Sequence, residues 1–143
     1  MDDETGRNRA VVAAYVAAMN AGDFAAMRAL FTDDAEIQGV TGVGGLDFAL
    51  GVWRQLHDGL GMELTVEEMA AEGACVAVRY TERGRWTGPF MARGEPTGRS
   101  YALVAMEWFE LRDGRIARRW GARDAAAQAR QLGFRPEDGG KTA

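Results

Sequence analysis

Cysteine, histidine, serine and lysine each occur only once in the 143 residues, and each scarcity removes a class of chemistry. Cys75 alone cannot build an internal disulfide framework, and a lone thiol fits a reducing compartment. A Ser-His-Asp triad would have to be assembled from Ser100 and His57, and no local signature supports it. Lys141 lies in the closing GGKTA, poorly placed for Schiff-base chemistry. The His and Cys cluster of a protein-built zinc site is missing, and no flavin site is visible, so no cofactor is expected. No apolar run approaches the roughly 20 residues of a membrane span, so no membrane partner is expected. The opening MDDETGRNRA is polar and lacks the apolar segment of a secretion signal, which predicts a cytoplasmic protein. Positive charge is also short: 17 Lys and Arg against 21 Asp and Glu give a net charge of −4, so nucleic acid is not an expected partner.

What is present reads as an ordinary globular chain, with 47% hydrophobic and 27% charged residues. Its length fits one domain over 1–143, with flexible ends at 1–6 and 136–143. Residues 7–21 predict a helix, because Val12, Tyr15, Val16 and Met19 recur on one face. Gly22-Asp23 stops it and caps a second helix with the stripe Phe24, Met27, Leu30 and Phe31. Thr32-Asp33-Asp34 reads as a break before a short strand at 35–40. The stretch 39–45 is a Gly-rich loop that lacks the GxGxxG spacing and the βαβ setting of a phosphate cradle. Leu46, Leu50, Trp53 and Leu56 support a third helix ending near residues 59–61.

Beyond residue 61 the pattern turns to period two, predicting strands at 62–71, 74–87, 99–112 and 115–121. Asp113-Gly114 is a strong hairpin signal, since the pair tolerates the positive φ of a tight turn. A final helix over Ala125–Leu132 is closed by Gly133, with Pro136 beyond. Helices first and an antiparallel run of strands afterwards argue for an α+β fold. One strand is apolar on both faces, with Leu103, Ala105 and Phe109 on one and Val104, Met106 and Trp108 on the other. Helices can cover only one face, so a homodimer is expected to cover the second.

Three groups of residues in register resemble the SnoaL-like polyketide cyclase family, of the NTF2-like α+β cone fold. They are Phe31-Thr32-Asp33-Asp34-Ala35 after the opening helices; Thr87-Gly88-Pro89-Phe90 with Glu95-Pro96-Thr97-Gly98-Arg99, similar to "TGxF…PPTGR"; and Asp113-Gly114-Arg115-Ile116 through Trp120, Asp124 and Gln131-Leu132-Gly133, similar to "DGKI…W…D…QLG". The resemblance spans roughly residues 7–133. It implies a curved antiparallel sheet and N-terminal helices around an apolar cavity, and a small polycyclic aromatic polyketide as substrate. It also implies that Asp124 is the acid/base of an intramolecular aldol closure. The histidine that such cyclases carry on the long strand falls on Glu107, and that of the "HTG" triplet on Trp86. These departures point toward the family's hydroxylases of anthracycline-type polyketides.

Each candidate residue also has a plainer role. Asp124 alone reads as a helix N-cap, and one carboxylate could both cap and catalyse; burial in an apolar cavity would make it a useful base. Glu107, between Met106 and Trp108, is either cavity-facing or paired with an arginine. Arg118, Arg119 and Arg123 are its possible partners and could stabilise an enolate; Arg118 is assigned to the site. Tyr15 is a candidate donor into the cavity, Trp53, Trp86 and Trp120 candidate stacking surfaces, and Ala105 and Phe109 the apolar wall. His57 beside Asp58 reads as a surface histidine. The leading expectation is a cofactor-free hydroxylase with Asp124 as base, with a separate reductase conceivable. A cyclase is second, and a non-catalytic binding protein third.

Overall fold

The computed structural model describes residues 3–39 and 42–134. Helix α1 spans Asp3–Ala21, α2 Phe24–Ala29, strand β1 Phe31–Gln38, β2 Val43–Gly44 and α3 Leu46–Leu60; then come β3 Glu63–Glu72, β4 Cys75–Arg85, β5 Ser100–Arg112, β6 Arg115–Arg123 and α4 Ala125–Leu132. The strands form one curved six-stranded sheet in the order β2-β1-β6-β5-β4-β3, and the helices lie against its concave face. The α+β cone is therefore as expected, but the sheet stays open, with β2 and β3 at its edges, and does not close into a barrel.

Local chemistry accounts for most boundaries. Asp3 and Glu4 sit in the first turn of α1, where the helix dipole favours negative charge. Asp23 caps α2 by accepting a hydrogen bond from Ala26 N. Gly61, at φ 57°, ends α3 in the left-handed conformation that glycine adopts without strain. The β5–β6 hairpin turns on Asp113 and Gly114, both at positive φ, as the Asp-Gly signal requires.

Four expectations are corrected. Thr32-Asp33-Asp34 does not break the chain: β1 runs through it and pairs with β6, Phe31 opposite Ile116. The two aspartates face outward there, and Asp34 meets Arg112 at 2.8 Å. That β1–β6 pairing is parallel, so the sheet is not wholly antiparallel. Helix α1 begins at Asp3, taking in residues 3–6 of the end expected to be flexible. The Gly-rich stretch contributes β2, which pairs with the end of β1. Residues 135–143, the other expected flexible end, lie outside the described residues.

The core fills the space between the helices and the inner face of the sheet. Val12, Tyr15 and Met19 of α1 and Leu50, Trp53 and Leu56 of α3 meet Val76, Val78 and Tyr80 of β4 and Leu103, Ala105 and Phe109 of β5. Each large apolar side chain buried here contributes about 1.5–3 kcal/mol. Tyr15 lies at its centre, edge-on to Phe31 and Phe109 with ring centroids 6.1 and 5.1 Å away.

Candidate active site in the concave face of the sheet

Among these walls lies a small cavity of about 30 Å³, mostly apolar but carrying two carboxylates and two guanidinium groups. Helix α1 delivers Tyr15 to it, α3 Trp53, β4 Tyr80 and Glu82, β5 Ala105 and Glu107, and β6 Arg119 and Arg123. Glu107 is buried, and its Oε2 accepts from the Tyr15 hydroxyl at 2.8 Å and from Arg119 Nε at 2.5 Å. Arg119 also donates to the carbonyl of Gln38 at 3.2 Å, and its guanidinium lies over Trp53 at 5.5 Å. Burial works most strongly against the charge of Arg119, but Glu107 together with Tyr15 and Tyr80 more than offsets it and holds its pKa above the usual value.

The other oxygen of Glu107, Oε1, is buried without a hydrogen-bond partner, and so is the hydroxyl of Tyr80. The two residues are diagonal neighbours on adjacent strands, since Val78 stands opposite Glu107 and Tyr80 opposite Ala105. The phenol feels the carboxylate's charge and a hydrogen-bonding interaction with it, although the contact is too loose to be a well-formed bond. Burial first, then Glu107, raise the pKa of Tyr80; burial and Glu107 do the same for Tyr15. Both stay neutral hydrogen-bond donors at any ordinary pH.

A second buried pair adjoins the first. Glu82 accepts from Arg123 Nε at 3.0 Å and from the Tyr101 hydroxyl at 2.6 Å, and Arg123 also reaches Gln128 Oε1 at 3.3 Å. Burial, then Glu82, raise the pKa of Tyr101. Both oxygens of Glu82 are occupied, whereas Glu107 keeps one available.

The sequence-predicted residues divide sharply. Tyr15, Trp53, Ala105 and Glu107 line the cavity together. Phe109 is buried behind Tyr15, and Trp86 packs away from the cavity, its Nε1 donating to Gly88 O and its ring meeting Phe134 at 5.6 Å. Asp124 is exposed and does not line the cavity; its carboxylate caps α4, accepting from Ala127 N at 2.9 Å. The burial on which its role as a base depended is absent.

Arg118 and Trp120 are outside, and one irregularity explains both. Glu110 pairs with Arg118 but Leu111 with Ile116, so Ala117 is an extra residue in β6. A one-residue bulge reverses which side chains face inward. Ile116 is inside, and after the bulge Arg119, Gly121 and Arg123 follow, while Arg118 stacks over Trp120 on the outer face, 4.6 Å from the ring centroid. Gly121 leaves room there: a Cβ would lie 2.4 Å from the Arg119 guanidinium and would force it to shift.

Tyr80, Glu82 and Tyr101 were missed as site residues, and Arg119 and Arg123, named as possible partners of Glu107, were passed over in favour of Arg118. For β4 the signal was present, because Val76, Val78, Tyr80 and Glu82 share one phase of the alternation. For β6 it was not, because nothing in the residues marks the bulge.

The model of the SnoaL-like domain matches residues 12–119, and these carry the cavity residues from Tyr15 to Arg119. The chain belongs to the SnoaL-like family. Comparison with curated protein sequences returns no match. Among solved structures it is similar to IdmH, a candidate polyketide cyclase of Streptomyces antibioticus, at 28% identity and TM-score 0.78 over 89% of this chain and 99% of that one. It is similar in fold to AclR, a candidate hydroxylase of Streptomyces galilaeus, at 21% identity and TM-score 0.82 over 90% and 86%. A candidate polyketide cyclase of Xanthomonas campestris matches at 24% identity and TM-score 0.82 over 91% and 99%. Among the described residues no helix is long and apolar enough to cross a membrane.

Proposed function

We propose that this SnoaL-like protein is an enzyme that removes a proton from an acidic carbon of a polyketide-type carbonyl compound, with intramolecular aldol ring closure as its reaction. The observation that carries this reading is the available Oε1 of Glu107 in a buried cavity. Glu107 takes the proton, and Arg119 and the neutral phenol of Tyr80 stabilise the negative charge that develops on the substrate oxygen. Low local dielectric makes those fixed donors more effective than water. The cavity is too small for a polycycle and as it stands holds only a water or a hydroxyl group, so entry of the reacting carbonyl end requires Met19 and Met62 in its wall to repack.

Hydroxylation of an anthracycline-type ring is the second reading. It is supported by Glu107 standing where the resemblance places a cyclase histidine. The same base would then form a phenolate or enolate for attack by oxygen, with electrons supplied by a separate reductase. Mass spectrometry of products from a polycyclic polyketide with an uncyclised side chain separates the two. A ring-closed isomer of unchanged mass supports closure, one added oxygen supports hydroxylation, and unaltered substrate defeats both. Asp124→Asn is expected to turn over normally and Glu107→Gln to lose turnover; the reverse pattern would return the base to Asp124.

A second copy of the chain is the proposed occupant of the outer sheet face, in a cytoplasmic homodimer. Val104, Met106 and Trp108 are 55%, 52% and 48% exposed there, and Met106 and Trp108 with Trp120 border an apolar groove of about 500 Å³. Trp108→Glu is expected to halve the mass found by light scattering. A wild-type protein that is already monomeric would end this part of the reading.

A further inference from the structure

Two buried polar atoms, the acceptor Glu107 Oε1 and the donor hydroxyl of Tyr80, make no well-formed bond, and their residues line a space of about 30 Å³. A water needs roughly 10–15 Å³ of such space and two or more polar partners, so this is a seat for a water or a hydroxyl group. A water between Tyr80 and Glu107 would complete the hydrogen bonds of both. The seat adjoins the atom assigned above as the base.

We propose that this seat makes the protein a hydro-lyase: it eliminates water from, and adds it to, a β-hydroxy carbonyl compound, with Tyr80 as a further catalytic residue. The proposal rests on Glu107 acting as base. Glu107 Oε1 takes the proton from the carbon next to the carbonyl. The electron pair of that bond becomes the new carbon–carbon double bond as the β carbon–oxygen bond breaks. The departing hydroxyl takes the proton of Tyr80 and becomes water in the seat. Glu107 then returns its proton to Tyr80, and both residues are restored. The products are an enone and one water, with no oxidant or reductant consumed.

The order of events suits the electrostatics of the pair. While Glu107 is charged it helps keep Tyr80 protonated, whereas Arg119 acts in the opposite direction. Once Glu107 has taken the substrate proton its charge is gone and that of Arg119 remains. The phenol becomes a better acid at the moment when the hydroxyl must leave. A β-hydroxy carbonyl is also what an aldol closure delivers, so the same site would carry its own product forward.

The test uses the whole protein with β-hydroxycyclohexanone in deuterium oxide carrying heavy oxygen, read by mass spectrometry and NMR. The expected result is deuterium at the α carbon, heavy oxygen at the β position and some cyclohexenone. Deuterium alone would overturn the hydro-lyase and leave Glu107 as a base; neither label would overturn both. Tyr80→Phe removes a hydroxyl that makes no well-formed hydrogen bond, so the variant is expected to fold. It should lower oxygen exchange by about 100-fold or more while deuterium uptake continues. Equal oxygen exchange in Tyr80→Phe and wild type would overturn the role of Tyr80.

Discussion

Replacing Glu107 with glutamine would leave the Arg119 guanidinium buried with only the Gln38 carbonyl and a neutral amide for company. A charge separated from its partner inside a protein costs about 3–5 kcal/mol, because the desolvation already incurred is no longer offset. For a chain of this length each kcal/mol moves the melting temperature by about 3 °C, so the variant should melt about 10–15 °C below wild type. Arg119→Met should cost a similar amount, since Glu107 would keep only the hydroxyl of Tyr15. The double variant Glu107→Gln with Arg119→Met leaves no buried charge at roughly constant volume and should recover much of the loss. Urea unfolding followed by circular dichroism measures all four corners of this cycle, and an unchanged m-value keeps the comparison valid. Single costs below about 1 kcal/mol, or strictly additive losses, would mean that the pair is hydrated and weakly coupled, and the reasoning would fail.

Alkaline pH offers an independent check, because all three tyrosines, Tyr15, Tyr80 and Tyr101, are buried beside carboxylates with raised pKa values. Below pH 10 both folded and unfolded chains keep these protons; above it the unfolded chain releases them and the native one does not, so stability falls by up to about 1.4 kcal/mol per phenol per pH unit. Phenolate absorbance should therefore rise only together with loss of the circular dichroism signal, and phenolate forming near pH 10 in folded protein would contradict the buried geometry. Gly121→Ala should displace Arg119 from Glu107 and cost about 1–3 kcal/mol in urea unfolding, whereas a neutral outcome would show that the guanidinium has room to move. Asp124→Ala should cost about 1 kcal/mol through the lost cap of α4 while turnover persists; lost turnover in a stable protein would point back to Asp124 as a catalytic group.

Local rules were enough wherever one residue's neighbours in sequence are also its neighbours in space. The stripe Val12, Tyr15, Val16 and Met19 set the buried face of α1, Asp-Gly set the β5–β6 turn, and Asp124 with Gly133 set the bounds of α4. Alternation along β5 separated Leu103, Ala105 and Phe109 from Val104, Met106 and Trp108, and so placed Glu107 on the inner face. Tertiary structure alone decided the rest. Pairing of β1 with β6 on either side, at Phe31 and from Glu36 onward, carries Thr32-Asp33-Asp34 as an irregular part of a strand rather than a break. The bulge at Ala117 exchanged Arg118 for Arg119, since one added residue inverts every side chain beyond it. Glu82 and Arg123 are 41 positions apart in sequence, and only the stacking of β4, β5 and β6 makes them partners. The identities of the acidic and basic groups were written in the chain, but which of them share a cavity depends on register and burial, which arise only when the sheet forms.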